Sequence, residues 1–120
     1  MKVLVVEPEK VPEVKEIFDM LESMQQMVGG TIQAIYPFDD SVALICNDEG
    51  KMLNLPMNRA LPEIRDVICG TFFLCGAPPG ENRFTSLTDE QIDRYTERFQ
   101  FPEFFLHMKD GELCVLEFGS

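Results

Sequence analysis

The spacing of apolar residues along the chain predicts strands in some segments and helices in others. The opening "MKVLVVE" is β-branched and almost entirely apolar, as in a strand buried on both faces. "TIQAIYPF" alternates as a half-buried strand does, and the short apolar runs "VALIC" and "FFLCG" suit central strands. We interpret residues 36–61, "YPFDDSVALICNDEGKMLNLPMNRAL", as mostly a meander in which "NDEGK" is a hairpin turn and "MLNL" the returning strand. The proline-bracketed residues 56–63 predict a connection or a short helix.

The first helix has a clear end and two alternative starts. Apolar residues recur at helical spacing from residue 14 to residue 28. Asp19 and Glu22, however, form a capping-box pattern that would begin the helix near Met20. Two glycines follow Val28, and glycine is the residue that a left-handed C-terminal cap prefers.

The second helix has a clear start. Thr88 and Gln91 form a capping-box pattern, and Pro102 stops the helical spacing. We therefore predict helices at about residues 20–28 and 89–100. Strands follow strands more often than they alternate with helices, which favours an α+β fold with a mainly antiparallel sheet of about five to seven strands.

Length and composition indicate one soluble domain spanning residues 1–120. The chain is 45% hydrophobic and 26% charged, as an ordinary globular protein is. Its tail, residues 104–118, predicts a β-hairpin that turns at Asp110 and Gly111. The N-terminal apolar run is too short for a secretory signal, and no later run approaches the ~20 residues that span a bilayer. We therefore expect a cytoplasmic protein that does not bind membranes.

Charge and cysteine usage exclude several functions. The 21 acidic residues against 10 basic ones give a net charge of −11, which repels phosphate backbones and disfavours direct binding to nucleic acid. The same charge permits solubility, or a surface that attracts a basic partner. The four cysteines stand singly within apolar stretches and the chain has one histidine, so we predict buried thiols, no metal site and no cofactor.

Two polar pairs are the candidate site residues. Asp39 and Asp40 have the composition of a turn, although two close carboxylates can also act in acid–base chemistry or bind a hard cation. Arg59, set among apolar neighbours, must reach solvent or find an acceptor, and Asp39 or Asp40 would serve as a structural partner. Alternatively, Arg59 binds a carboxylate or phosphate of a ligand while Asn58 orients it. With Tyr36, these four residues form the predicted ligand or partner surface; no catalytic residue is predicted.

The order of several landmarks resembles a known family. They are "MKVLVVEPEK" at the start, "LESMQQMVGGTIQAIYPFDDSVALICNDEGKMLNLPMNRAL" in the middle, then "GTFFLCG" and "FTSLTDEQIDRYTERF". Residues 1–104 are similar to the bacterial and phage family called domain of unknown function 3846, found in gut-dwelling Gram-positive bacteria and their mobile elements. The resemblance implies an accessory protein and no established activity, and the hairpin that follows is outside it.

Three functions are compatible with these patterns. The leading hypothesis is a non-enzymatic binding module for a protein or small ligand, acting through the surface from Tyr36 to Arg59. The second is an acidic DNA mimic or anti-defence protein. The third is a small enzyme or nucleotide-sequestering protein in which Asp39, Asp40, Asn58 and Arg59 converge in one pocket. Aromatic residues near the end of the second helix are expected in the core; exposed, they would form a homodimer or partner patch.

Overall fold

The computed structural model describes residues 1–117, and its centre is a five-stranded antiparallel sheet. In chain order the elements are β1 (Lys2–Val6), β2 (Glu13–Glu16), α1 (Leu21–Val28), β3 (Ile32–Ile35), β4 (Val42–Asn47), β5 (Met57–Leu61), a 3-10 turn (Pro62–Ile64), β6 (Asp66–Cys69), β7 (Phe72–Gly76), α2 (Asp89–Arg98), β8 (Glu103–His107) and β9 (Leu113–Glu117). The large sheet has the order β2-β1-β7-β4-β3, while β5–β6 and β8–β9 form two-stranded sheets. The predicted α+β class with mainly antiparallel sheets is confirmed, and the described residues contain nine strands rather than five to seven.

The sheet is covered on both faces because alternate residues of its central strands point in opposite directions. Leu44 and Leu74 face α2 and the β5–β6 hairpin, whereas Ile45 and Phe73 face α1. Every residue of β4 is buried. The three inner strands therefore carry most of the core.

Both predicted helices form, but only one has its predicted cap. α1 begins after Met20, in agreement with the later of the two predicted starts, yet no side chain caps it, so the Asp19–Glu22 capping box is wrong. Gly29 ends α1 in the left-handed conformation, with φ 79°. In α2 the Thr88 Oγ1 accepts from the Gln91 backbone N–H at 3.1 Å, and the Gln91 Oε1 accepts from the Thr88 N–H at 3.0 Å.

The predicted meander is partly wrong. Residues 48–54 form turns rather than a returning strand, because both edges of β4 are already occupied by β3 and β7. Residues 57–61, interpreted as a connection or short helix, are strand β5, which pairs with β6 in a separate hairpin. The prolines therefore bracket a strand, as they do at the ends of edge strands.

The C-terminal hairpin forms as predicted and packs beside β5. β8 and β9 pair antiparallel, and Gly111 adopts φ 87° in the turn between them. The Glu103 Oε1 accepts a hydrogen bond from the Ala60 backbone N–H at 2.9 Å, which joins β8 to β5. The prediction extended to residue 118, which lies outside the described residues.

Candidate functional site

The predicted site residues lie at two opposite ends of the large sheet. The Ser41 carbonyl, next to Asp40, accepts from the Ala77 N–H just after β7. The Asn58 side chain instead donates to the Val6 carbonyl at 2.8 Å and to the Gly70 carbonyl at 2.9 Å, just before β7. Since a strand rises about 3.3 Å per residue, the length of β7 separates the two ends by roughly 20 Å. Asp39 and Asp40 therefore do not converge with Asn58 and Arg59.

Arg59 is completely buried, and its guanidinium bonds to three chain segments. Its Nη2 donates to the Lys10 carbonyl at 2.7 Å and to the Phe99 carbonyl at 3.0 Å, while its Nη1 donates to the Asn58 Oδ1 at 2.9 Å. Burial lowers the pKa of Arg59, and the charges of Glu103 and Glu117 offset this only in part. The Phe99 carbonyl belongs to the C-terminal end of α2, where the helix dipole favours a cation. The predicted pairing of Arg59 with Asp39 or Asp40 is thus wrong, since backbone carbonyls take that place.

Asp40 attaches α2 to the turn before β4. Its carboxylate accepts hydrogen bonds from the Tyr95 hydroxyl at 2.8 Å, from Arg94 at 2.5 Å and from the Gln91 amide at 3.3 Å. Burial alone would raise the pKa of Asp40, but these hydrogen bonds, the Ser41 N–H and the Arg94 charge together lower it. Asp39 beside it is exposed and has no hydrogen-bond or ion-pair partner in residues 1–117. Asp40 therefore has the contacts of a structural residue, and Asp39 is free to meet a partner.

Tyr36 borders a concavity at the Asp39 end of the sheet. The residue is 62% exposed, although tyrosine is large and partly apolar. The concavity has a volume of about 430 Å³ and lies between Tyr36 and the loop after β7; it is lined by Tyr36, Ala77, Pro78, Glu81, Asn82, Arg83 and Phe84. That volume is within the range of small-ligand sites, about 300–1,000 Å³. Concavities of about 330, 360 and 450 Å³ elsewhere also reach that range, and we choose this one as the candidate binding site because it adjoins the predicted site residue Tyr36.

The loop after β7 is closed by backbone hydrogen bonds between its two ends. The Gly76 N–H donates to the Thr85 carbonyl at 2.7 Å, and the Thr85 N–H donates to the Gly76 carbonyl at 2.9 Å. A Cβ on Gly76 would lie 2.4 Å from the Thr85 Oγ1 and 2.8 Å from the Ser86 carbonyl, so glycine is required for this close approach. The loop composition is visible in "APPGENRF", but its position beside Tyr36 depends on the strand order.

A second concavity offers less room and no activated thiol. It has a volume of about 150 Å³ between the turn after β4 and β6, and its lining includes Cys46 and Cys69. Burial raises the pKa of both thiols, that of Cys46 to about 11, so neither is activated as a nucleophile. Residues 1–117 contain no group of three or more His, Cys, Asp or Glu side chains placed to hold a metal ion. No helix in the same residues is long and apolar enough to cross a membrane.

The fold and these sites define a small α+β protein that has a concavity of ligand size beside Tyr36, at the end of its main sheet. Residues 1–100 match the model of the family described as Domain of unknown function (DUF3846), and the chain belongs to this family. The match ends before β8, so the C-terminal hairpin lies beyond it. No curated protein and no solved structure matches the chain.

Proposed function

We propose that this protein is a non-enzymatic binding module that engages a protein or a small ligand through the concavity beside Tyr36. The observation that supports this most directly is the exposed Tyr36 ring at the mouth of a concavity of about 430 Å³. An aromatic ring supplies a large contact area at a small cost in conformational entropy, which is why such rings are enriched at binding sites. The resemblance to a bacterial and phage family supports a cytoplasmic accessory role.

The positions of the candidate residues favour binding over catalysis by this set. Asn58 and Arg59 are fully buried, and their side chains bond to carbonyls that belong to the fold itself. The Asp40 carboxylate accepts hydrogen bonds from Arg94 and Tyr95 of α2. An enzyme or nucleotide-sequestering protein that uses Asp39, Asp40 and Arg59 together would need groups from opposite ends of the large sheet to converge.

The acidic DNA mimic is the alternative proposal, and the exposed face of α2 bears on it. Four exposed acidic residues lie on this helix with no salt-bridge partner within the described residues: Asp89, Glu90, Asp93 and Glu97. From Asp89 to Glu97 the helix rises about 12 Å, a length over which duplex DNA presents about seven charges at one per ~1.7 Å. Since α2 offers about half of that charge density, it supports a basic partner better than it supports imitation of a duplex.

Affinity capture with matched variants tests the binding module. Tagged wild type, Tyr36→Ala, Asn82→Trp and Met52→Ala would each be incubated with lysate of the organism that encodes the chain, and bound proteins and metabolites identified by mass spectrometry. Asn82→Trp fills the concavity from its exposed rim, and Met52, which is 80% exposed outside the concavity, is the control. We expect a species that wild type and Met52→Ala retain and that the other two lose by about tenfold or more. Equal recovery from all four forms, or no captured species, would refute the proposal.

A salt series on the captured species separates the two proposals. Binding to a DNA mimic depends on many charges and should fall steeply between low and moderate salt. Binding in the concavity should change less, because apolar contacts are not screened. A species that is released by salt and is insensitive to Tyr36→Ala would favour the mimic.

A further inference from the structure

The two edges of the large sheet differ in how they are protected. At one edge, β2 carries Glu13, Lys15 and Glu16, and charged side chains on an edge strand oppose the addition of another strand. At the other edge, β3 has the sequence Ile32–Ile35 without a charge or a proline. Natural sheets usually block such an edge, so an unblocked one is a ready template for a further strand.

The register shows which backbone groups of β3 are free. The Asp48 N–H donates to the Thr31 carbonyl, and the Ala77 N–H donates to the Ser41 carbonyl on the other side of β4. In an antiparallel pair, residues alternate between facing the partner and facing away. Thr31 bonds to Asp48 of the neighbouring chain segment, so the residues two and four positions later, Gln33 and Ile35, also point their N–H and C=O groups toward β4. The Ala77–Ser41 bond agrees, because it places the alternate residues of β4 toward β7.

The intervening residues of β3 therefore face outward. These are Ile32 and Ala34, whose N–H and C=O groups lie on the edge that no described strand pairs. The Ala34 side chain is exposed, and so is the ring of Tyr36, which follows at the end of the strand. An added strand would run along this edge to the concavity.

The charges around this edge indicate the chemistry of the partner. Asp39 lies beyond one end of β3, while Asp48 and Glu49 lie beside the other, where Asp48 bonds to Thr31. None of the three acids has a salt-bridge partner within residues 1–117. The nearby cations Lys51 and Arg83 are already paired, with Asp66 and Glu81 respectively. A basic strand would neutralise these three acids. A second copy would instead be repelled, because it carries a net charge of −11.

We propose that the free edge of β3 accepts an extended basic segment of a partner protein as a sixth strand of the sheet. The inference rests on the proposed binding function and names the partner as a protein. Its backbone would bond to Ile32 and Ala34, its lysines or arginines would meet the acids at the two ends, and one side chain would reach Tyr36. Backbone pairing gives affinity in this mode, and the side chains give selectivity.

Amide hydrogen exchange by NMR with a defined peptide tests the proposal. The probe is an eight-residue peptide of alternating Thr and Lys with blocked ends, and the control is the same peptide with Glu in place of Lys. We expect the basic peptide to slow exchange at Ile32 and Ala34 by about tenfold or more, while Gln33 and Ile35, already bonded to β4, stay unchanged. The acidic peptide should bind at least about tenfold more weakly.

Two substitutions at one exposed position give the matched protein controls. Ala34→Lys places a repelling charge on the edge, and Ala34→Glu places an attracting one. We expect the basic peptide to bind the first about tenfold more weakly than the second, with both variants as heat-stable as wild type. Ala34→Pro, which removes only an outward N–H, should abolish the protection.

Several outcomes would overturn the proposal. Unchanged exchange at Ile32 and Ala34 at saturating peptide would do so, as would equal binding of the acidic peptide. Protection of these amides in the free protein that grows with protein concentration would show that a second copy occupies the edge. A Tyr36-dependent captured species without protection at β3 would overturn the edge proposal alone, whereas protection without such a species would overturn the proposed function of the concavity.

Discussion

Replacing Arg59 by alanine should destabilise the fold strongly. The substitution removes the donors that serve the carbonyls of Lys10 and Phe99 and the side-chain oxygen of Asn58. These acceptors belong to the turn after β1, to the end of α2 and to β5. Without the guanidinium the Asn58 oxygen and the Phe99 carbonyl would stay buried without a partner, which costs more than the net contribution of a hydrogen bond, whereas the Lys10 carbonyl is only partly buried.

The expected loss is about 3–5 kcal/mol. Hydrogen bonds to a charged group contribute about 1.5–3 kcal/mol each, but removing the arginine also removes the cost of burying its charge. Truncating a large buried side chain to alanine also leaves a cavity, which costs about 2–5 kcal/mol in other proteins. A domain of 120 residues has a total stability of roughly 6–18 kcal/mol, so the loss would be a large fraction of it.

Urea unfolding followed by circular dichroism measures this loss. With a slope of about 1.5 kcal/mol per M, Arg59→Ala should lower the midpoint by roughly 2–3 M. Arg59→Met, which keeps most of the buried volume, should lie between Arg59→Ala and wild type. Arg83→Ala is the control, because Arg83 is exposed and its surface ion pair contributes about 0–1 kcal/mol. A loss below about 1 kcal/mol in Arg59→Ala would refute the structural role.

Three further predictions concern titratable groups. Asp40→Asn should lower the free energy of unfolding by about 1–3 kcal/mol at pH 7, whereas Asp39→Asn should stay within about 0.5 kcal/mol of wild type. The pKa of Asp40 is lowered in the folded state, so its stabilising contribution should be present above its unfolded pKa of 3.8. Unfolding measured at successively lower pH should show this contribution disappear as the pH falls below that value. Burial raises the pKa of Glu103, which favours its protonated form. The urea midpoint of Glu103→Gln at pH 7 should therefore equal or exceed that of wild type, and a clearly lower midpoint would contradict this. Burial raises the pKa of Cys46 to about 11 and that of Cys75 to about 12. Iodoacetamide at pH 8 should therefore leave both thiols unmodified in the folded protein and modify them once urea unfolds it, as detected by mass spectrometry. Rapid labelling of the folded protein would contradict this.

Most features that depend on local sequence were predictable, although the equally local Asp19–Glu22 capping box does not form. The capping box of α2 is fixed by Thr88 and Gln91, which are three residues apart, and the left-handed end of α1 by Gly29. The tail hairpin likewise turns at a local Asp-Gly signal. In each case the interacting groups lie within a few residues of one another, so propensity and spacing contain the necessary information.

The features that depend on distant partners were not predictable. β5 looked like a connection because prolines flank it, and its pairing with β6 is decided only once β3 and β7 have taken both edges of β4. The burial of Arg59 could be suspected from its apolar neighbours, but its acceptors come from residues 10 and 99. The concavity was not predictable for the same reason. Tyr36 and the loop that faces it are separated along the chain by β4, the β5–β6 hairpin and β7.

The central position of β1 beside β7 has a consequence during synthesis. Leu4 is opposite Leu74 in the sheet, so β1 leaves the ribosome 70 residues before its partner in β7. At about 5–20 residues per second, that wait lasts roughly 4–14 s. Until then β1 has only the short β2 beside it, and its apolar residues Val3–Val6 have no sheet neighbour on the β7 side. The nascent chain should therefore be most prone to aggregate, and most dependent on chaperones, before residue 76 has emerged.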